Sequence, residues 1–549
     1  MTAPLRRRTA LTALGLTTAG AAAAPLLAAP AHADAPPTRM LAQQVRVERS
    51  GGVVATQGER EVVWEQVPTT DAAPDATLEI DTASRRHTLD GFGPALTHSA
   101  AWLLLRMPAA RRRRLLQEMF SPNGPLRLSV LRIPVGTCDF APDEGERTYY
   151  TLADEPGPSA DPLAHFDLSR DEGTILPVLR EILEVAGELE VVLSPWSAPA
   201  WMKTSGSLIG GTLHDDEETR RLWAEYLARA VEAYEAAAPG LHVSALTVQN
   251  EPLHDTAAYP CMGMSPEVQT SVISHLLEEL DERGLDTRIL SYDHNWDRVD
   301  YPQQVLDELA GQGIDPQRVG SAFHAYAGSA DAVEPLHAAH PGSPIWFTEQ
   351  SGTQDPGKPY EADFADGIWW MSNQLFLPAL RHHHQGIILF NLVLDQDGGP
   401  GPATFTNGTG LFQIDESTGA LTPNSELYVM AHFSRFVPAG SPCSPHRMPR
   451  TSPTSPACAP TGRWSSCCIT TRPPARSGSW PGTGSSPSPC PAGPSRPACS
   501  PSVSRCGGGE PAVMGAAFPR ERLRALSSSP RCAPSAPGTP RAPAASRRP

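Results

Sequence analysis

Between Leu41 and Gly440 the chain alternates short apolar runs with longer stretches of helical period. The runs are "HTLDGFG", "RLSVLRIPVG", "ELEVVLSPWS", "VSALTVQNEP", "TRILSYDHN", "VGSAFHAY", "PIWFTEQSG" and "GIILFNLVLD". Helical patterns such as "EETRRLWAEYLARAVEAYEAA" and "SPEVQTSVISHLLEELDERG" fill most of the gaps. Eight strand candidates with helices between them predict an α/β fold, a (β/α)8 TIM barrel. An open doubly wound sheet is the alternative. It is disfavoured because no glycine-rich phosphate loop follows the first run. Upstream, "LAQQVRVERS" and "EVVWEQV" read as short strands ahead of the barrel.

Polar and aromatic residues gather at the ends of these runs, where a barrel carries its active face. They are Asp90, Arg132, Trp196, Asn250, Glu251, His324, Tyr326, Glu349 and Asn391. Singly, each has a plain reading: a loop carboxylate, a core tryptophan, an arginine in a salt bridge at the barrel floor. Two carboxylates change the picture. Glu251 closes "LTVQNE" just ahead of Pro252, which ends the strand and fixes the turn. Glu349 ends "IWFTE". As the fourth and seventh strands of a barrel, the two lie roughly opposite each other, so their carboxylates converge across the mouth. A carboxylate pair flanked by aromatics suits glycoside cleavage: one protonates the leaving oxygen, the other attacks the anomeric carbon or activates water.

The ordered stretches "DGFGPALTHSAA", "LRIPVGTCDF", "LSPWSAPAWMKT", "LTVQNEP", "YPCMGMSPE", "FHAY", "FTEQ", "FNLVLDQDGGP" and "HFSRFVPAG" resemble the family-30 glycoside hydrolases. That family holds acid β-glucosylceramidases and microbial endo-β-1,6-glucanases. The resemblance implies a barrel with an associated β-sandwich and hydrolysis with retention of configuration. Glu251 is then the general acid/base, with a raised pKa, and Glu349 the nucleophile, kept ionised by Arg132. It further implies that Asn250 bonds the sugar 2-hydroxyl and that Asp90 and Trp196 grip the glucosyl unit by hydrogen bond and stacking. His324 and Tyr326 orient the nucleophile, and Asn391 joins the substrate-binding set. No cofactor or metal is required. A glucosylceramidase-like activity is the first expectation and β-1,6-glucan the alternative; a non-catalytic carbohydrate-binding barrel and a xylan-type substrate stand behind them. Some details depart from the family pattern. Ala325 separates the His and Tyr of the sixth run, Phe390 precedes the eighth-run Asn, and "FTEQ" reads more like the glucanase branch. The run His382-His383-His384 invites a metal reading, but a solvated loop is the simpler expectation.

Charge and composition bound the rest. The first 440 residues carry 30 basic and 58 acidic side chains, a net of −28, which disfavours nucleic acid and anionic membranes as partners. The N-terminus has Arg6, Arg7 and Arg8, an apolar run and Ala31-His32-Ala33, the pattern of a twin-arginine export signal over 1–33. A secreted enzyme acting on a carbohydrate or glycolipid follows, with no stable membrane insertion. The expected domains are this leader, a linker with pre-barrel strands over 34–84, the catalytic barrel over 85–440 and a tail over 441–549. Only Cys138 and Cys261 precede Ser441, whereas eight cysteines follow it amid Pro, Ser and Arg. The stretch "ACAPTGRWSSCCITT", back-translated with GC-rich codons and read two bases on, becomes Leu-Arg-Pro-Asp-Gly-Ser-Leu-Val-Leu-Val-Leu-His-His-Asn. That is a strand following an Asp-Gly turn, as the missing sandwich requires. The expectation is a frameshift near Gly440; a genuine Pro/Ser-rich disordered tail is the alternative.

Overall fold

The structure, a computed structural model, describes residues 86–145, 148–401 and 407–443. It also gives the backbone of strands Arg39–Val47, Ala55–Val63, Glu79–Ile80, His446–Arg447, Ala459–Thr461 and Ser465–Cys467. The leader, most of the 34–84 segment and almost all of the tail lie outside the described residues.

Each of the eight apolar runs contains one barrel strand: β1 Gly91–Pro94, β2 Val130–Val135, β3 Glu190–Pro195, β4 Val243–Thr247, β5 Arg288–Asn295, β6 Val319–His324, β7 Ile345–Glu349 and β8 His384–Leu389. They form one eight-stranded sheet in the order 1-8-7-6-5-4-3-2. Every pairing within it is parallel. Ser129 N donates to Phe92 O at 3.0 Å and Leu96 N to Arg132 O at 2.8 Å, which joins β1 to β2 and closes the barrel. The eighth run is shorter in the sheet than its sequence suggests. Phe390 N turns to Gln350 O and Leu392 N to Ala95 O. Val393–Asp395 then pairs with Phe412–Ile414 outside the barrel.

Helices α1 His98–Arg106, α2 Ala109–Phe120, α3 Ile175–Ala186, α4 Glu217–Ala237, α5 Pro266–Arg283, α6 Asp300–Gly311, α7 Glu334–Ala339, α8 Tyr360–Trp370 and α9 Leu377–Arg381 accompany the strands. Their ends follow local chemistry. Asp216 caps α4 by accepting from Thr219 N. Ser265 caps α5 by accepting from Val268 N, Pro266 opens it, and Gly284 closes it in a left-handed conformation at φ 67°. The inner faces of α4 and α5 bury Trp223, Tyr226, Leu227, Ile273, Leu276 and Leu280, as helical periodicity requires.

Side-chain alternation along the strands layers the barrel interior. Val130, Val192, Ala245, Leu290, Ala322, Trp346 and Ile388, one from each of β2–β8, form a separate buried apolar cluster. Two residues further on, the same inward rows turn polar: Arg132, Ser194, Thr247, His324 and Thr348, all buried. An apolar plug thus carries a polar floor on its C-terminal side, and that floor supports the site.

The histidine run is not a solvated loop. His384 opens β8 fully buried, accepting from Trp296 Nε1 at 3.1 Å and facing the carbonyls of Ala379 and His382 with Nδ1. Burial pushes its pKa down to about 3. The short α9 tucks the run against α7 instead of releasing it to water: His382 Nδ1 lies 2.6 Å from Glu334 Oε1. Cys138, Cys261 and Cys443 are buried free thiols. Among the described residues no helix is long and apolar enough to cross a membrane.

Candidate active site

Arg132 organises the polar floor. Fully buried, it donates through Nη1 to Glu349 Oε2 at 2.5 Å. Through Nη2 it donates to Asn250 Oδ1 at 2.8 Å, Asp293 Oδ2 at 2.9 Å and Ser194 Oγ at 3.0 Å. The contact with Asn250 fixes that amide's oxygen and leaves its NH2 as the donor. Arg132 therefore both pairs with Glu349 and forms a salt bridge at the floor. His324 sits on the far side, with Nδ1 3.0 Å from Glu251 Oε1 and Nε2 3.1 Å from Asp293 Oδ1. Tyr326, on the chain leaving β6, donates its hydroxyl to Glu349 Oε1 at 3.1 Å. A Glu251 oxygen, a His324 ring nitrogen and a Glu349 oxygen all lie within 4.8 Å of one another.

The electrostatics depart from the sequence expectation. Burial works to lower the His324 pKa, but the charges and hydrogen bonds of Glu349, Asp293 and Glu251 carry it up to about 9. His324 is thus a cation that donates from both nitrogens. Burial also works to raise Glu251, yet its bond to His324, with His294 and His254 nearby, brings it below the ordinary range. Glu349 is raised, by burial first and by the Glu251 charge, against the pull of His324 and Arg132. The two carboxyls titrate as a pair. In the free site Glu251 is lowered and not raised as expected, because the imidazolium leans on it.

Arg132, Asn250, Glu251, His324, Tyr326 and Glu349 are brought together as described. Asn391 is buried, and among the described residues neither of its amide atoms has a hydrogen-bond partner. It adjoins Phe390, which packs with Trp196, Cys138 and Phe140. Trp196 belongs to this group but is no open stacking platform: it is 2% exposed, stacked on Phe390 at 5.8 Å, with the Arg132 guanidinium 4.8 Å from its ring centroid. Asp90 is not in the site at all. It precedes β1, at the N-terminal mouth of the barrel, 3.5 Å from Arg288 at the start of β5. The apolar plug with Trp346 separates it from the glutamates. Burial raises its pKa to about 6. Asp90→Asn is therefore expected to leave kcat/KM within about twofold of the parent. Since a raised carboxyl pKa means its ionised form is disfavoured by folding, unfolding at pH 7.5 should show no loss of stability.

Two acids went unread in the sequence. Asp293 is fully buried and bridges Arg132, His324, Ser194 and Thr348. Simple alternation from Leu290 points Tyr292 inward, but the β5–β6 register slips between Ala322 and Phe323 and leaves Asp293 unpaired as a bulge. Tyr292 and Asp293 take φ of 71° and 60° there, and Glu251 takes 48°, left-handed values uncommon for such residues. Asp139 stands in the quoted stretch "LRIPVGTCDF". Its Oδ1 is buried without a partner, and burial, then the Glu349 and Glu251 charges, raise its pKa well above the ordinary range.

A closed parallel barrel with one carboxylate ending β7 and another just beyond β4 defines a glycoside hydrolase of the barrel type. The sequence profile of the glycosyl hydrolase family 30 TIM-barrel domain matches residues 89–437, and the chain belongs to that family. An endo-1,6-β-D-glucanase of Aspergillus fumigatus is 29% identical over 391 residues, covering 68% of this chain and 75% of that protein. The lysosomal acid glucosylceramidase of Mus musculus is 27% identical over 381 residues, covering 66% and 71%. Among solved structures, an endo-β-1,6-glucanase matches with a TM-score of 0.62 at 28% identity, covering 72% of this chain and 86% of that one.

Proposed function

We propose that the chain is a secreted retaining β-glucoside hydrolase whose first substrate is β-1,6-glucan. The spacing of its two carboxyls carries this reading. One oxygen of Glu251 lies within 4.8 Å of one oxygen of Glu349, nearer to the ~5–5.5 Å between carboxyls of double displacement than to the ~6.5–9.5 Å of an inverting enzyme, and this closeness supports the retaining reading. Glu349 attacks the anomeric carbon while Glu251 protonates the departing oxygen; Glu251 then takes a proton from the water that releases the sugar. The chemistry needs the first proton on Glu251, and the substrate supplies that bias. Positive charge growing at the anomeric carbon favours ionised Glu349. Displacement of water by the sugar raises Glu251, the more open side chain at 14% exposed against 8%.

The choice of β-1,6-glucan rests on the named glucanase relatives and on the "FTEQ" stretch around Glu349. An exported enzyme facing a polymer also suits the leader-like N-terminus. A second reading, an apolar aglycone as in glucosylceramide, is favoured by Leu253, 42% exposed two residues beyond Glu251. The test measures kcat/KM on β-1,6-glucan and on glucosylceramide in detergent, with the product anomer followed by proton NMR. The β-anomer released first from β-1,6-glucan, at the higher kcat/KM, is the expected result. The α-anomer released first would reject double displacement, and a higher kcat/KM on glucosylceramide would reverse the substrate order.

A further inference from the structure

The run His382–His384 lies at the N-terminal end of the barrel, away from the glutamates, and the proposed chemistry does not use it. His383 is 9% exposed, and its Nδ1 has no hydrogen-bond partner. Its Nε2 lies 3.4 Å from Glu334 Oε2, at the start of α7, while the other Glu334 oxygen takes His382. Glu334 thereby favours the proton on Nε2 and leaves a lone pair on the buried Nδ1. His337 of α7 stacks on His383 with ring centroids 3.6 Å apart and planes 17° apart. His87, in the chain entering β1, lies 6.0 Å from His383 at 57°, and among the described residues neither of its ring nitrogens has a hydrogen-bond partner closer than the weak approach of the His384 backbone. His383 also holds φ 68°, a left-handed conformation that costs roughly 1–2 kcal/mol in a residue other than glycine. Backbone strain and an unpaired buried nitrogen meet in this one side chain, beside two further imidazoles.

We propose that His87, His337 and His383 bind one divalent ion of the zinc, nickel or copper class, with His383 bound through Nδ1 and Glu334 behind it. A carboxylate on the far nitrogen of a ligating imidazole is the usual support for such a ligand. Imidazole ligands select these ions over Mg2+ and Ca2+, which prefer oxygen. Burial lowers the pKa of all three imidazoles, His87 to about 4, so their lone pairs are available at neutral pH. In the described structure the three nitrogens do not yet converge: binding requires the His337 ring to swing off His383 about Cα–Cβ until each nitrogen reaches the ~2.0–2.1 Å from the ion that is typical of zinc. In the catalytic trio, whose ligand atoms lie closer, both His324 nitrogens already face carboxylates, Glu251 and Asp293, so an ion there would have to break both contacts. The ion would tie α7 and the turn into β8 to the segment entering β1, stapling the seam where first and last strands meet.

The test uses the full chain without an affinity tag, freed of metal by chelation and titrated with ZnCl2 by calorimetry and thermal unfolding. One equivalent should bind and raise Tm. His383→Asn, which keeps a residue tolerant of left-handed backbone, should weaken Zn2+ binding by at least about tenfold and abolish the Tm rise. Glu334→Gln should weaken binding about 10–100-fold, and Glu251→Gln should leave it intact. Should His383→Asn not fold, His337→Asn gives the same readout. No Zn2+ uptake, or uptake lost in Glu251→Gln and kept in His383→Asn, overturns the proposal.

Discussion

Glu349→Gln is expected to lower kcat/KM by about 10⁴-fold or more, equivalent to about 5.5 kcal/mol of transition-state stabilisation. The amide is nearly isosteric and still meets Arg132 and the Tyr326 hydroxyl, and Asp293 still faces Arg132 as a counter-charge, so the variant should fold with a smaller loss of stability than Asp293→Asn. What disappears is the anion that forms the glycosyl bond, and nothing else in the polar floor replaces it: Asp293 is held by Arg132 and His324 one layer below. Glu251→Gln should behave differently. Loss of a general acid costs about 10²–10⁴-fold on a sugar leaving group. It costs far less on a nitrophenyl β-glucoside, whose leaving group needs no proton, until release of the covalent intermediate becomes limiting. Azide, a small nucleophile needing no general base, should then accelerate Glu251→Gln and yield a glycosyl azide. The two variants are separated by kinetics on both leaving groups. Equal losses on both, or a Glu349→Gln enzyme that retains more than about one hundredth of parental activity, would remove the proposed roles.

The barrel was legible because its strands are buried apolar runs of ordinary length and its helices carry their own caps. Asp216, Ser265 and Gly284 stand at the ends of α4 and α5, beside the helical patterns read from the sequence. Glu251 and Glu349 were legible for a similar reason, as each follows directly on an apolar run. Asp90 shows the limit of that reasoning. Asp90 lies inside the run "HTLDGFG", but the strand itself is Gly91–Pro94, so Asp90 precedes it and lies at the opposite mouth. Polarity at the edge of a strand does not say which edge. The burial of Trp196 was not legible, because its packing against Arg132 and Phe390 joins residues about 64 and 194 positions from it. Asp293 was hidden by a bulge that breaks the period of two, and the lowered pKa of Glu251 by His324, whose charge depends on three carboxylates from three other strands.

Asp293→Asn should show how much of the site rests on that hidden residue. Asp293 meets Arg132 at 2.9 Å, Ser194 at 2.9 Å, Thr348 at 2.6 Å and His324 at 3.1 Å, with no exposed surface. Burial works against its charge, but Arg132, His324 and Thr348 hold its pKa far below the ordinary carboxylate range. A depressed carboxylate contributes stability above its unfolded pKa of about 3.9, and that stability is lost as pH falls through the folded value. Neutralising it at pH 7 leaves Arg132 short of a counter-charge in the barrel interior, and breaking such a pair costs about 3–5 kcal/mol. Denaturant unfolding at pH 7 should show a loss of that order. Activity should change in a way that mere destabilisation does not produce. Without Asp293, His324 loses a partner that raises its pKa to about 9, so its deprotonation shifts to lower pH. A neutral His324 no longer restrains Glu251, whose pKa rises in turn. The alkaline limb of the kcat/KM profile should therefore move in the folded variant, measured well below its Tm. A variant within about 1 kcal/mol of the parent, with an unmoved pH profile, would mean that Arg132 and His324 keep their charges and positions without the bulge that joins them.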